Sequence, residues 1–346
     1  MIVVFTLCSA NYLAQAKTLA DSILEHNPEY HVVIGLVDRV PKNLSPSYWQ
    51  PYELIPVEDL SIPDLADMVD KYDIVELNTA VKPFYMEYLY QRNAQVDAVV
   101  YLDPDILVLS DLSPVLDKLR SNNIVVTPHS CTFDDSSTNV YYELSMLRTG
   151  VYNLGFIGTA RSETTFFFLK WWQTRLREHC YYRAGSGVFV DQLWVTLAPL
   201  YFPGVLVEKN PGCNMCYWNH FERRLTIRDG RYIVNGEHKL LFYHFSSYDP
   251  SHPDHISMRK KSLVMTFEER PDLKPLFDLY TKRLLACDYM SIRSFKYSLP
   301  KRPVKSPPLT PKAAVRGSVR TVLRALPQVA QRRLKRFAEF TLESFM

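Results

Sequence analysis

The sequence predicts an α/β fold with a mixed, mostly parallel central sheet flanked by helices, followed by a basic helical tail. Three observations predict it. Apolar, β-rich runs alternate with helical stretches over about the first 250 residues, the pattern of strands joined through crossover helices. The first run passes through a polar turn straight into a helix. One further run, Val99-Val100-Tyr101-Leu102, stops abruptly at Asp103-Pro104-Asp105.

The elements follow in order. Residues 2–7 form the first strand, Cys8-Ser9-Ala10-Asn11-Tyr12 a polar turn, and residues 14–25 a helix that Asn27-Pro28 ends. The turn has no Gly-x-Gly-x-x-Gly and no Gly-x-x-x-x-Gly-Lys, so neither a dinucleotide fingerprint nor a P-loop is present. Its Asn and Tyr suit a ribose and a base, or a plain surface turn. Residues 31–37 are a buried strand, 52–57 a short strand, 59–73 a partly helical connection and 81–92 an aromatic-rich helix. Lys82 stands near the start of that helix, where a cation opposes the helix dipole, so it calls for an anionic partner. Residues 116–121 read as a short helix, 123–127 as a strand and 129–140 as a polar loop. Residues 151–158 form an apolar strand with Asn153 and Gly155 at its front, and Ser162 caps a helix to about Arg177. Asp191-Gln192 open another helix. Residues 231–235 and 240–244 read as a hairpin ending at His244-Phe245-Ser246, and a last body helix runs from Pro271 to about Cys287.

Asp103 and Asp105 mark the chemistry. Proline cannot donate to a ladder, so the strand ends before it. Ligands of open α/β sheets bind beyond the carboxyl ends of strands. Two carboxylates placed there repel each other unless a cation joins them, and a hard divalent ion takes such oxygens and completes its shell with phosphates and water. The stretch therefore reads as a port for a metal-bound nucleotide, against the plainer reading of an Asp-capped turn. Cys213 and Cys216 form a lone Cys-x-x-Cys near His220, with no second pair to complete a zinc site.

Composition sets the remaining bounds. The chain has 346 residues, 47% hydrophobic and 13% aromatic, enough for one large α/β domain. Six scattered cysteines fit a reducing compartment. No basic n-region or long apolar stretch opens the chain, so no signal peptide is predicted, and no run approaches the roughly 20 apolar residues of a membrane span. From Lys296 onward the tail carries twelve Lys and Arg against two Glu, a balance of +10 that leaves the body at −7 in a chain of net +3. Residues 296–312 are proline-rich and read as a linker. In residues 313–346, Val315, Val319, Val322 and Leu326 fall at helical spacing opposite Arg316, Arg320 and Arg324. Such a basic amphipathic helix predicts contact with an anionic membrane surface or with the acidic body. Aromatic stacking residues are few there, which disfavours nucleic acid as a partner.

Taken together, Asn11-Tyr12, Asp103-Pro104-Asp105, Tyr152-Asn153-Leu154-Gly155, Asp191-Gln192 and His244-Phe245-Ser246 resemble the GT-A glycosyltransferases of the glycogenin and lipopolysaccharide galactosyltransferase type, family 8-like. Pro211 to Asn219 is similar to a Pro-Gly-x-Asn-x-x-x-Trp-Asn loop of related bacterial enzymes. The resemblance spans about residues 1–250 and implies a Rossmann-like GT-A domain over 1–295. It implies Asp103, Asp105 and His244 as ligands of Mn²⁺ or Mg²⁺. Thr6, Cys8, Asn11, Tyr12, Lys82 and Asp103 would contact the nucleotide sugar, most often a UDP-sugar. Asn153, Asp191 and Gln192 would line the donor sugar and the reaction centre. The chain departs from the pattern twice. The usual Asp of the first turn is replaced around Cys8-Ser9, and the Lys-Pro-Trp ending after the His-Phe motif is absent.

The expected activity is metal-dependent sugar transfer, with retention of configuration, from a nucleotide-sugar donor to a surface polysaccharide, a lipopolysaccharide or a lipid-linked acceptor. The expected location is cytoplasmic and peripheral at the inner membrane face. Two alternatives compete with it. A nucleotidyltransferase needs a glycine-rich basic loop after the first strand, which residues 8–15 lack. A sugar-binding or scaffold protein at the membrane is the other.

Overall fold

The computed structural model describes residues 1–133, 137–258 and 266–299. The predicted tail, 313–346, and most of the predicted linker lie outside them. Lys296 to Leu299, the expected beginning of that linker, lie on the body: Leu299 is buried, and Ser298 bonds to Asp38.

Apolar runs with β-branched residues become strands β1 (Ile2–Cys8), β2 (His31–Leu36), β3 (Glu53–Pro56), β4 (Ala98–Leu102), β5 (Ile106–Val108), β6 (Ile124–Pro128) and β7 (Tyr152–Ala160). Shorter strands follow: β8 (Tyr182–Arg183), β9 (Val188–Phe189), β10 (Val205–Val207), β11 (Leu225–Arg228), β12 (Arg231–Val234), β13 (His238–Lys239) and β14 (Phe242–His244). The central sheet has seven strands in the order β10-β6-β7-β4-β1-β2-β3. Only β7 runs against its neighbours, β4 and β6; the other pairings are parallel. The expected mixed, mostly parallel sheet is therefore present.

Helices cover both faces. On one, α1 (Leu13–His26), α10 (Lys274–Ala286) and α11 (Tyr289–Ile292) pack with β5 and β14 around Val4, Ile34 and Val100. On the other, α2 (Leu65–Lys71), α3 (Ile74–Ala80), α4 (Lys82–Gln91) and α7 (Glu163–His179) pack around Phe5, Val33 and Val99. The alternation of β1 side chains between these layers is the period of a strand buried on both faces. Most of the aromatic stripe of α7 is core: Phe168 and Trp172 are fully buried, while Phe167 is exposed. Gly35 lets α4 sit close, because a Cβ there would lie 2.7 Å from the Tyr85 ring. Ser162 caps α7 as predicted, its hydroxyl accepting from the Thr165 amide.

Two local expectations are corrected. The polar loop expected over 129–140 gives way at Ser137 to α6 (Ser137–Thr149). The hairpin expected of residues 231–235 and 240–244 forms in part: β12 pairs antiparallel with β13, Ile233 opposite Lys239, but residues 242–244 leave it. Asp229 and Gly230, both at positive φ, turn the chain so that β11 pairs with β12. An Asp-Gly turn between strands is a strong hairpin signal. β14 pairs instead with β5, with Ile106 opposite His244 and Val108 opposite Phe242.

Candidate active site

That β5–β14 ribbon assembles the centre of the site. β4 ends at Leu102, and the Asp103 amide donates to the Gly155 carbonyl at 2.8 Å. Pro104 has no N–H to continue the ladder, and the chain turns, the Ile106 amide closing on the Asp103 carbonyl at 3.0 Å. The Phe245 amide then donates to the Asp105 carbonyl at 2.8 Å, fixing His244 beside Asp105. The His244 Nε2 lies 3.0 Å from Asp105 Oδ1 and 3.6 Å from Asp103 Oδ2. Ligand atoms of these three residues all lie within 4.8 Å of one another. His244 is buried, whereas the carboxylates keep 29% and 22% of their side-chain surface open. The triad thus faces a recess that a ligand can reach.

Its electrostatics favour a cation. Burial raises the Asp103 carboxyl above its usual range and adjacent Asp105 adds to this, while Lys82 and His244 pull the other way. Burial works against charge on His244, but Asp105 and Asp103 outweigh it and raise the imidazole above its ordinary value. Two carboxylates and an imidazole crowded together in this way are oxygen and nitrogen donors of the kind a divalent ion takes. Gly155 makes room for the set: a Cβ there would lie 2.6 Å from the His244 ring and 2.7 Å from Asn153 Oδ1. The His244 Nδ1 is buried with no hydrogen-bond partner among the described residues.

A second group joins the first. Tyr101 donates its phenol proton to Asp103 at 2.7 Å. The Lys82 ammonium sits over the Tyr101 ring, 4.0 Å from its centre, donates to the Leu154 carbonyl at 3.0 Å and meets Asp191 Oδ2 at 2.5 Å. The anionic partner expected of Lys82 is, in this structure, Asp191. Asp191 precedes α8 (Gln192–Val195) but does not cap it with its side chain; the indole of Trp172 donates to its carbonyl at 3.2 Å instead. Gln192 donates to the Thr149 carbonyl at 2.7 Å.

Asn153 belongs to a polar network that residue-by-residue reading did not find. Its Oδ1 accepts from the Gly155 amide at 3.1 Å and from Asn214 Nδ2 at 3.0 Å. Asn214, at φ +54, also donates to Thr127, and Asn219 donates to the carbonyls of His129 and Asn214 at 3.0 Å. Trp218 stands edge-on to His244 at 5.2 Å. The signal for these residues lies in the run from Pro211 to Asn219, which orients His244 and Asn153 from behind. Cys213 and Cys216 are free and buried. The ring of neighbouring His220 faces the Tyr243 hydroxyl at 2.9 Å, and no zinc cluster forms around the cysteines among the described residues.

The first turn holds the remaining predicted residues. Thr6 Oγ1 and Asn11 Oδ1 are buried without partners among the described residues, and Tyr12 is 43% exposed. Cys8 differs in kind. Its thiol is buried among apolar side chains, which keeps it protonated, and its carbonyl accepts from the Val37 amide.

A mostly parallel sheet with this acidic, histidine-bearing recess beyond β4 is the frame of a GT-A glycosyltransferase. The chain belongs to glycosyl transferase family 8, whose model matches residues 3–186, just over half of the sequence. Among curated proteins it is similar to YfnF of Bacillus subtilis (strain 168), described as uncharacterized, at 27% identity over 250 residues, covering 70% of this chain and 80% of the relative. YfnD of the same organism, likewise uncharacterized, is 23% identical over 246 residues, covering 70% and 76%. Among solved structures, the galactosyltransferase LgtC in complex with donor and acceptor sugar analogs aligns at 19% identity and a TM-score of 0.46, covering 83% of this chain and 96% of that one. The bifunctional glycosyltransferase WbbM aligns at 15% identity and a TM-score of 0.49, covering 84% and 51%.

Proposed function

We propose that this glycosyltransferase is metal-dependent and retaining, and that it moves a sugar from a nucleotide-sugar donor, a UDP-sugar first, to a polysaccharide, lipopolysaccharide or lipid-linked acceptor. The observation that carries the reading is the convergence of Asp103, Asp105 and His244 to within 4.8 Å in a recess beyond the sheet. These three residues would hold Mn²⁺ or Mg²⁺. When bound, the ion supplies Lewis acidity for the departing diphosphate.

The chain's own residues supply the rest. Tyr101 orients Asp103 through its phenol. Lys82 brings a positive charge to the phosphate side of the recess, where negative charge gathers as the glycosidic bond breaks. Asn153, held by Asn214 at its Oδ1 and facing His129 with its Nδ2, would line the donor sugar. Asp191 and Gln192 line the reaction centre. With retention, either the leaving phosphate assists attack from the same face, or Asp191 forms a covalent intermediate as in retaining hydrolases. Lys82 holds the Asp191 carboxylate in place for that second role.

The proposed setting is the cytoplasmic face of the membrane, reached through the basic tail. No helix of the described residues is long and apolar enough to cross a membrane. The test is donor hydrolysis and transfer over a panel of UDP-, GDP-, dTDP- and CMP-sugars with and without Mn²⁺. Turnover of one nucleotide class that needs the ion supports the reading. No turnover and no binding of any donor would favour the scaffold alternative.

A further inference from the structure

We infer that Asn78, together with Ser9, reads the nucleobase of the donor; this rests on the nucleotide-sugar reading above. Asn78 lies on α3, four residues before Lys82. The backbone stays right-handed through Val81, at φ −85 and ψ −7, between α3 and α4. Residues four apart on continuous helical backbone share a face. Lys82 reaches towards the acidic recess, and Asn78 reaches the turn that follows β1.

The orientation of the Asn78 amide is fixed by its partners. Nδ2 donates to the Ile74 carbonyl at 2.7 Å and to the Ser9 hydroxyl at 2.8 Å. A backbone carbonyl can only accept, so the nitrogen must be the atom that faces it. Both amide hydrogens are thereby used. Oδ1 remains as an acceptor, buried and without a partner among the described residues. Ser9 accepts from the amide and keeps its own proton to give. The pair presents an acceptor beside a donor. Its complement is a base edge with an N–H beside a carbonyl or ring nitrogen, an edge that uracil and cytosine share with guanine; the UDP-first donor reading above selects a pyrimidine.

The first turn has no carboxylate of its own to do this. The carboxylate packed beneath it is Asp38, and both its oxygens are occupied. Oδ2 accepts from the Ala10 amide at 3.2 Å. Oδ1 accepts from the Arg39 amide at 2.8 Å, the Ser298 amide at 2.9 Å and the Ser298 hydroxyl at 2.6 Å. Asp38 therefore braces the turn, and the free acceptor is on Asn78.

The test is calorimetric titration of the full chain in Mg²⁺ with UDP, CDP, GDP and inorganic pyrophosphate. Asn78→Ala should weaken the preferred pyrimidine nucleotide about tenfold, and Ser9→Ala about fivefold, the loss expected of one hydrogen bond. Neither should change pyrophosphate affinity. Preference for UDP assigns the imide edge, and preference for CDP the amine edge. Unchanged nucleotide affinity in both variants, or an equal loss for pyrophosphate, would overturn the inference while leaving the donor reading intact; a preference for GDP that the variants lose would support it, on the N1–H and O6 edge of guanine. Pyrophosphate binding with no nucleotide binding in the unaltered chain would overturn both.

Discussion

Lys82 and Asp191 form a buried ion pair at 2.5 Å, with 2% and 3% of their side chains exposed. They are 109 positions apart in the chain, yet the pair links the helix beside the first turn to the start of α8. One oxygen of the acidic recess lies a single side chain away, through Tyr101.

Removing one member leaves a buried charge without its partner. Lys82→Met or Asp191→Asn alone should each cost about 3–5 kcal/mol of stability. The double variant should recover much of that loss, because neither charge remains. It should recover no transfer activity. Denaturant unfolding of the three variants, beside a donor assay, checks both statements. Additive losses in the double variant would show that the two residues do not act as a pair.

Gly155→Ala should impair the recess without replacing any candidate ligand. The new methyl group would press on His244 and Asn153 at 2.6 and 2.7 Å. Crowding of this kind costs about 1–3 kcal/mol, and displacing a ligand's support costs about 10–100-fold in metal affinity. Mn²⁺ titration of the variant measures it. Unaltered affinity would mean that His244 does not hold the ion.

His220 predicts an acid limb of stability. Burial first, and then nearby Arg270, depress its imidazole well below the ordinary value of 6.5. The unfolded chain therefore binds a proton that the folded chain refuses. The stability is complete above pH 6.5 and is lost as pH falls below it towards the depressed folded value, by up to about 1.4 kcal/mol per pH unit. His220→Gln keeps a hydrogen-bonding group for Tyr243 and should flatten that limb. Unfolding midpoints between pH 7.5 and 5.5, as about the range to scan, decide it; an equal slope in the variant would locate the proton elsewhere.

The tail is expected to act on location rather than chemistry. Truncation after Leu299 should release the chain from anionic liposomes and leave donor hydrolysis intact. The cut belongs there because Ser298 and Leu299 are part of the body. Liposome binding that survives truncation would move the contact to the body.

Much of this was legible in the chain. The stop at Asp103-Pro104-Asp105 was readable because proline ends a ladder, and the strand–turn–helix opening because its periodicities are local. His244 was legible as a residue but not as a neighbour of Asp105: it pairs with Ile106 of β5, 138 positions earlier in the chain (244 − 106), a separation that no local pattern encodes. The Asn214–Asn153 bond and the Asn78–Ser9 bond join residues 61 and 69 apart. No local pattern encodes such distances, and asparagine reads as a turn former wherever it stands. Lys82 was legible as a cation in need of an anion, and the identity of that anion came from packing alone.

The most direct measurement is thermal stabilisation by a UDP-sugar with and without Mn²⁺, in the unaltered chain and in Asp105→Asn. The account predicts stabilisation that requires sugar nucleotide and ion together and that disappears in the variant while the variant stays folded. Equal stabilisation without the ion, or an unchanged response in Asp105→Asn, would contradict a metal-dependent transferase built on Asp103, Asp105 and His244.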